Sequence, residues 1–192
     1  MNNFEILNKL PDDINFLQIG VNDGQDHLTA FILNKNWKGI MVEPDTFYIR
    51  KAKEKYKSVA NNLTWFQVAI SNVKSTATMY KVNKIDKDWE KGIGSLDKSH
   101  VIKHNIDESN IISFEVKTVL LTDIVDKELD IWFIDAEGSE RNILLGCDIS
   151  TIKPKYIILE TTHMQESDLN EIASELNYTP YWDKFDSLLI RN

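Results

Sequence analysis

FLQIGVNDG, residues 16–24, decides how the chain is read. A short apolar run enters a turn flanked by Gly20 and Gly24, and helical spacing of apolar residues begins soon afterwards. This predicts a buried strand ending at Ile19, then a turn, then a helix. Glycines at such a turn let the backbone approach a ligand closely, and the helix amino terminus presents free N–H groups. Twenty-three residues past Gly20 stands Glu43, directly after a second apolar run at 39–42. An acid ending the second strand can accept both ribose hydroxyls of a nucleoside cofactor. The dinucleotide fingerprint G-x-G-x-x-G is incomplete, because its three glycine positions hold Gly20, Asn22 and Gln25. A nucleoside without a pyrophosphate therefore fits better than NAD.

Further short apolar runs lie at 63–70, 131–134 and 156–159, and helical spacing appears over 27–34, 47–56, 141–145 and 169–176. Strands alternating with helices predict an α/β fold, a mostly parallel sheet covered on both faces. Residues 178–182 and 185–191, joined through Asp183-Lys184, read as a terminal antiparallel hairpin. Residues 81–110 hold no sustained period and contain GIGSL at 92–96. An irregular stretch of that length inside a compact domain is either a functional lid or a disordered excursion, and a lid-like insertion is expected here. All 192 residues are read as one domain carrying it.

Apolar residues make up 42% and charged residues 27%, enough for a core. The net charge of −8 lacks the electrostatic footprint of a nucleic-acid binder. One cysteine, Cys147, makes neither an internal disulfide nor a cysteine-rich zinc site. The opening MNNFEILNKLPDD has acids where a signal peptide needs bases, and no apolar run approaches the roughly 18 residues of a membrane span. A cytoplasmic protein is expected. The basic run from Arg50 to Lys57 reads as a solvated helix face, and Trp89 in the polar segment as a substrate contact.

Acids follow two of the apolar runs. Asp135 and Glu137 come after 131–134; Glu160 comes after 156–159, with His163 three residues on. Ligands in open α/β sheets bind outside the carboxyl ends of the strands, so these four groups are candidates for moving a proton. The bland alternatives are helix capping by Asp135 or Glu137, best satisfied by Glu140, an ion pair for Glu160, and a loop role for His163. Asp135, Glu137 and Glu160 also form a candidate set for Mg²⁺ or Mn²⁺.

FLQIGVNDG, MVEPD, FQVAIS, the GSL of GIGSL, and WFIDAEGSE followed by LLG, in that order, resemble the FkbM-type S-adenosylmethionine-dependent methyltransferases over roughly 16–163. That resemblance implies a Rossmann-like class I methyltransferase fold with a seven-stranded sheet, and O-methylation of a small-molecule hydroxyl, often of a sugar or glycan. It implies that Gly20 and Asn22 lie against the methionine part of S-adenosylmethionine, with Gln18 near the strand end before the turn and Asp23 and Gly24 within the turn also on the cofactor. Glu43 and Pro44 border the ribose, Ala69 and Ile70 the adenine edge, and Asp135 touches the cofactor as well. Gly94, Ser95 and His163 fall to the acceptor. Spacing alone reads Ala69 and Ile70 as an ordinary strand end, and Gln18 stands where members often carry Asp. Two other functions are kept in view. One is a non-catalytic S-adenosylmethionine-binding module. The other is a nicotinamide oxidoreductase, disfavoured by the incomplete glycine fingerprint and by Tyr48-Ile49-Arg50-Lys51-Ala52, which lacks a Tyr-x-x-x-Lys pair.

Overall fold

The computed structural model describes residues 3–192. Along the chain come α1 (Asn3–Lys9), β1 (Asn15–Ile19), α2 (Thr29–Asn34), β2 (Lys38–Val42), α3 (Thr46–Lys55) and β3 (Leu63–Phe66). Next are β4 (Ala69–Ile70), β5 (Ser75–Val82), β6 (Gly94–Ser95), α4 (Lys98–Lys103) and β7 (Ile111–Val119). The last third holds β8 (Ile131–Ile134), α5 (Glu140–Leu145), β9 (Tyr156–Glu160), α6 (Glu166–Leu176), β10 (Tyr178–Tyr181) and β11 (Asp186–Arg191).

The expected seven-stranded sheet is present, in the order β3-β2-β1-β8-β9-β11-β10. The first five strands are parallel. β11 runs antiparallel to β9 and to β10, as the terminal hairpin requires. The connections run outward from β1 to β3, then restart at β8 and run the other way. The carboxyl ends of β1 and β8 therefore flank the switch point where open α/β sheets bind ligands.

Both faces of the sheet are buried. Leu17, Ile19, Trp132 and Ile134 pack with Leu144 of α5 and Leu169 and Ile172 of α6. Phe16, Ile131 and Phe133 face the opposite way, onto Leu7 of α1, Ile32 of α2 and Ala52 of α3. Two-sided burial is why these strands read as continuous apolar runs rather than alternations. Each fully buried Leu or Ile contributes roughly 1.5–3 kcal/mol. Asp26 sets the start of α2 by accepting from Leu28 N at 2.8 Å and Thr29 N at 3.0 Å, two residues later than the spacing suggested.

Three elements depart from expectation. The apolar stretch 63–70 is two strands. β3 ends the large sheet, and β4 pairs with β7 in a second sheet ordered β4-β7-β5-β6. β5 and β7, a long antiparallel pair, were not expected at all. Most of β5 is only partly covered, so it lacks a continuous apolar signature. Residues 81–110 are also more regular than their composition suggests. They start with the last two residues of β5, run up to β7, carry β6 and α4, and bury a small core of Val82, Ile93, Val101 and Ile106. Asp97 caps α4 by accepting from Ser99 N at 2.8 Å.

Candidate active site

The first turn is shaped by a close approach. Gly20 has φ +80°, and a Cβ there would fall 1.7 Å from the carbonyl oxygen of Asp135. Only glycine lets the end of β1 and the end of β8 lie this close. Gly20 N donates to Val42 O at 3.0 Å, which joins the turn to the end of β2.

Glu43 follows β2 and is buried. Its Oε2 accepts from Asn22 N and its Oε1 from Asp45 N, both at 2.8 Å. Burial pushes its carboxyl up to about 7, opposed by those two backbone bonds and by Lys81. Each carboxylate oxygen keeps a further lone pair for a ligand hydroxyl. Glu43 lies on a cleft of about 760 Å³, including its open mouth. Pro44, Ala69, Ile70 and Gly94 lie on the same cleft, with Val68, Met79, Ile93 and Leu96. Around these apolar residues the cleft also carries Glu43, Asp45, Lys81, Lys91, Asp135 and Glu137, a mix of apolar wall and polar groups that can hold a flat heterocycle joined to a diol.

A second cavity, of about 970 Å³, opens beyond the same turn. The two share Ile19, Gly20, Asn22, Lys91, Gly92 and Asp135. Gln18, Asp23, Asp26, Trp89, Glu160 and Asp186 line the second. Gln18 donates to Asp26 Oδ2 at 2.6 Å, while its buried Oε1 has no partner within the described protein. Asp135 sits at the junction, open to the cleft yet walled by protein, and its carboxyl lies well above the ordinary range. The cause is burial first, then the charges of Glu160, Glu137 and Glu140.

The acids form a contiguous wall. Burial, then the charges of Glu137 and Glu140, push Glu160 up to about 7. Buried Glu140 accepts from Ala136 N at 2.7 Å and Gly138 N at 3.1 Å, the capping role the sequence suggested. It also meets His163 Nε2 at 2.8 Å. Burial acts to lower His163, but the hydrogen bond and charge of Glu140, with Glu160 at 3.5 Å from Nδ1, outweigh it and raise it. Glu137 lies on the first cleft, but its Oε2 is 2.9 Å from His100 Nε2. One carboxylate oxygen each from Asp135, Glu137 and Glu160 come within 4.8 Å of one another.

Lys91, which lines both cavities, is tied to the first turn. Asn22 Nδ2 donates to Lys91 O at 3.0 Å, Lys91 Nζ reaches Asp23 Oδ2 at 3.4 Å, and Lys81 pairs with Asp45.

Most of the residues singled out from sequence thus meet at one junction. Three stand apart from both cavities. Gly24, with φ +72°, packs toward Ala52 and Tyr56 behind the turn. Ser95 is buried and donates to Glu137 O at 2.7 Å. His163 stands behind the acids against Glu140. Sequence reasoning missed Tyr48, Met79 and Lys91, which border the first cleft, and His100 and His104, which meet Glu137. The spacing His100-x₃-His104 was a usable signal for the last two.

No helix among the described residues is long and apolar enough to cross a membrane. The chain matches no curated protein sequence at a significant level. Solved structures share its fold at low identity. The precorrin-6y C5,15-methyltransferase of Geobacter metallireducens is 13% identical with a TM-score of 0.54, over 98% of this chain and 87% of that one. The TehB-like SAM-dependent methyltransferase of Corynebacterium glutamicum is 9% identical with a TM-score of 0.51, over 97% and 85%. A SAM-dependent methyltransferase of Geobacter sulfurreducens, solved with S-adenosyl-L-homocysteine, is 10% identical with a TM-score of 0.51, over 93% and 63%. The sheet order and terminal hairpin are therefore those of the class I S-adenosylmethionine-dependent methyltransferases. The family model for the methyltransferase FkbM domain matches residues 18–183, and this chain, a methyltransferase, belongs to that family.

Proposed function

We propose that the chain transfers a methyl group from S-adenosylmethionine to a hydroxyl of a small hydroxyl-rich molecule, a sugar or glycan. The observation that carries this reading is the pair of cavities joined at Gly20 and Asp135. The first offers an apolar wall for adenine and Glu43 for the ribose diol. Gly20 and Asn22, which line both cavities, would hold the methionine part, and the bound group would supply its methyl to an acceptor in the second cavity. Asp135 and Glu160 suit a cationic sulfonium, whose charge offsets the burial and the neighbouring charges that hold these two carboxyls up.

In the transfer, an acceptor oxygen attacks the methyl carbon in line with the sulfur. The carbon–sulfur bond breaks, its electrons stay on sulfur, and the sulfonium becomes a neutral thioether. The acceptor's proton passes to Asp135, with Glu160 beside it. Glu137 is held by His100, Glu140 by the backbone and His163, so these two are positioning groups. Alignment of the two substrates supplies much of the rate.

The walls of the second cavity also bear on the acceptor. Asp23, Asp26, Asp88, Asp135, Glu160 and Asp186 lie on it with Lys91 as its one lysine. Carboxylates accept from sugar hydroxyls and repel phosphates, which disfavours nucleic acid as acceptor. Trp89, half exposed there, offers a flat apolar face. Mg²⁺ or Mn²⁺ on Asp135, Glu137 and Glu160 is a second way to activate the hydroxyl, and chelator sensitivity separates the two. The segment 81–110 acts in this reading as the cover of a single domain, and the reaction is placed in the cytoplasm. The test is transfer of labelled methyl from S-adenosylmethionine to a panel of neutral sugars. Label appearing on a sugar oxygen supports the reading. Donor binding with no transfer to any acceptor favours a non-catalytic binding module.

A further inference from the structure

Three of the four histidines in the chain, His100, His104 and His163, gather on one side of the acid wall. We infer that His100, His104 and Glu137 form a binding site for a divalent transition-metal ion, Zn²⁺ in the first instance. This site shares Glu137 with the carboxylate set at the strand ends but takes its other two ligands from α4 and its end, and it does not rest on the methyl-transfer reading.

Placement comes first. His100 lies in α4 and His104 caps its carboxyl end. Four residues apart on a helix, both rings project from one face. Their Nε2 atoms lie 3.3 Å apart. Glu137 Oε2 lies 2.9 Å from Nε2 of His100 and 4.0 Å from Nε2 of His104. Ligands bonded to Zn²⁺ at about 2.0–2.1 Å stand roughly 3.3 Å from one another in a tetrahedron. The three observed separations bracket that value.

Hydrogen bonding alone serves this arrangement poorly. A neutral imidazole carries one N–H. At His100 Nε2 that single hydrogen faces both Glu137 and His104. A cation takes a lone pair from all three atoms at once.

The surroundings hold the ligands in place. Glu137 sits at φ +47°, a left-handed conformation rare for a non-glycine residue. Its carbonyl is fixed by Ser95 Oγ at 2.7 Å. Gly138 follows at φ +96°, and a Cβ there would come within 2.8 Å of His100 Nδ1. The His163 ring meets the His100 ring edge-on at 4.9 Å. Such outer contacts orient metal ligands.

The ligand set selects the ion. Two imidazoles and one carboxylate suit Zn²⁺, Fe²⁺, Co²⁺ or Ni²⁺, whereas Mg²⁺ prefers oxygen and water. The His104 side chain is 29% exposed, which leaves a route for the ion and for water. Since α4 belongs to the cover and Glu137 to the loop after β8, the ion would tie the cover to the sheet.

The test uses chelator-stripped full-length protein titrated with Zn²⁺ against a chromophoric chelator, with Co²⁺ absorption as a spectroscopic check. One ion per chain is expected, with Mg²⁺ far weaker. His104→Ala, at the partly exposed end of a short helix, should fold and should weaken Zn²⁺ by at least ~100-fold, more than an outer-shell change. Glu137→Gln should also weaken it and change the Co²⁺ spectrum. His27→Ala, in the second cavity, should leave both unchanged. Equal Zn²⁺ affinity in wild type and His104→Ala overturns the inference. So does loss in His163→Ala without loss in His104→Ala, which would move the ion onto Glu140, Glu160 and His163.

Discussion

Replacing Glu43 by Gln separates its contribution to binding from its cost to folding. In the free site, Glu43 accepts one backbone N–H on each oxygen, at 2.8 Å from both Asn22 and Asp45. The amide keeps one acceptor oxygen and turns an NH₂ toward the other donor. One ribose hydrogen bond is lost as well. A hydrogen bond to a charged group contributes about 1.5–3 kcal/mol, so cofactor affinity should fall by roughly 10- to 150-fold. Folding should move the other way. Glu43 rises from 4.5 to about 7 on burial, so the folded form holds its proton more tightly than the unfolded chain. Its contribution to stability is fully present below pH 4.5 and is lost as pH rises through 7. At 1.36 kcal/mol per pH unit the loss reaches about 3 kcal/mol above neutrality. Gln removes that loss and gives up one backbone bond of about 1–1.5 kcal/mol. Above pH 7 the variant should therefore be more stable than wild type by about 1–2 kcal/mol, and below pH 4.5 less stable. Wild-type affinity should climb with pH up to about 7 and then flatten, because only the anion accepts both hydroxyls, with Asp45 and Lys81 the charges beside it. The variant's profile should be flat. Calorimetry with S-adenosylhomocysteine between pH 6 and 8, with denaturant unfolding alongside, reads both effects. Unchanged affinity together with an unchanged pH profile would refute the ribose assignment.

Asp135→Asn should lower kcat by about 10²–10⁴ with saturating donor, while affinity for S-adenosylhomocysteine, which lacks the sulfonium charge, holds. Gly20→Ala should destabilise the fold, since the new Cβ meets Asp135 O at 1.7 Å in a backbone region costing about 1–3 kcal/mol. Thermal unfolding checks it, and an unaltered Tm would contradict the close approach. Asn22→Ala removes the bond to Lys91 O, worth about 1 kcal/mol, and should speed protease cleavage within 81–110. Cofactor should protect the wild-type segment more than the variant; equal cleavage with and without cofactor argues against a cover.

Legibility in the sequence followed burial. β1, β2, β8 and β9 are covered on both faces, so their apolar runs stand out, and the position of Gly20 and the acids after β8 and β9 followed from strand ends. The hairpin of β10 and β11 was legible from its short turn. β5 and β7 were not, because Thr76, Ala77 and Thr78 sit on a half-covered sheet that needs no apolar run. Val68 between β3 and β4 hid a strand break, since an apolar residue joins two segments that pair in different sheets. The site split similarly. Glu43 and Asp135 were legible because they end strands. Lys91 was not, because what places it is a long-range bond from Asn22 across 69 residues. Glu137 is legible as a candidate because it follows β8, but its partner His100, 37 residues earlier, is not.

A crystal structure of the chain with S-adenosylhomocysteine tests the central claim most directly. The account predicts both ribose oxygens within about 2.5–3.0 Å of the Glu43 carboxylate. Adenine should lie beside Ala69 and Ile70, with sulfur beside Gly20 facing Asp135. A nucleoside bound elsewhere, or its sulfur turned away from Asp135, would contradict it.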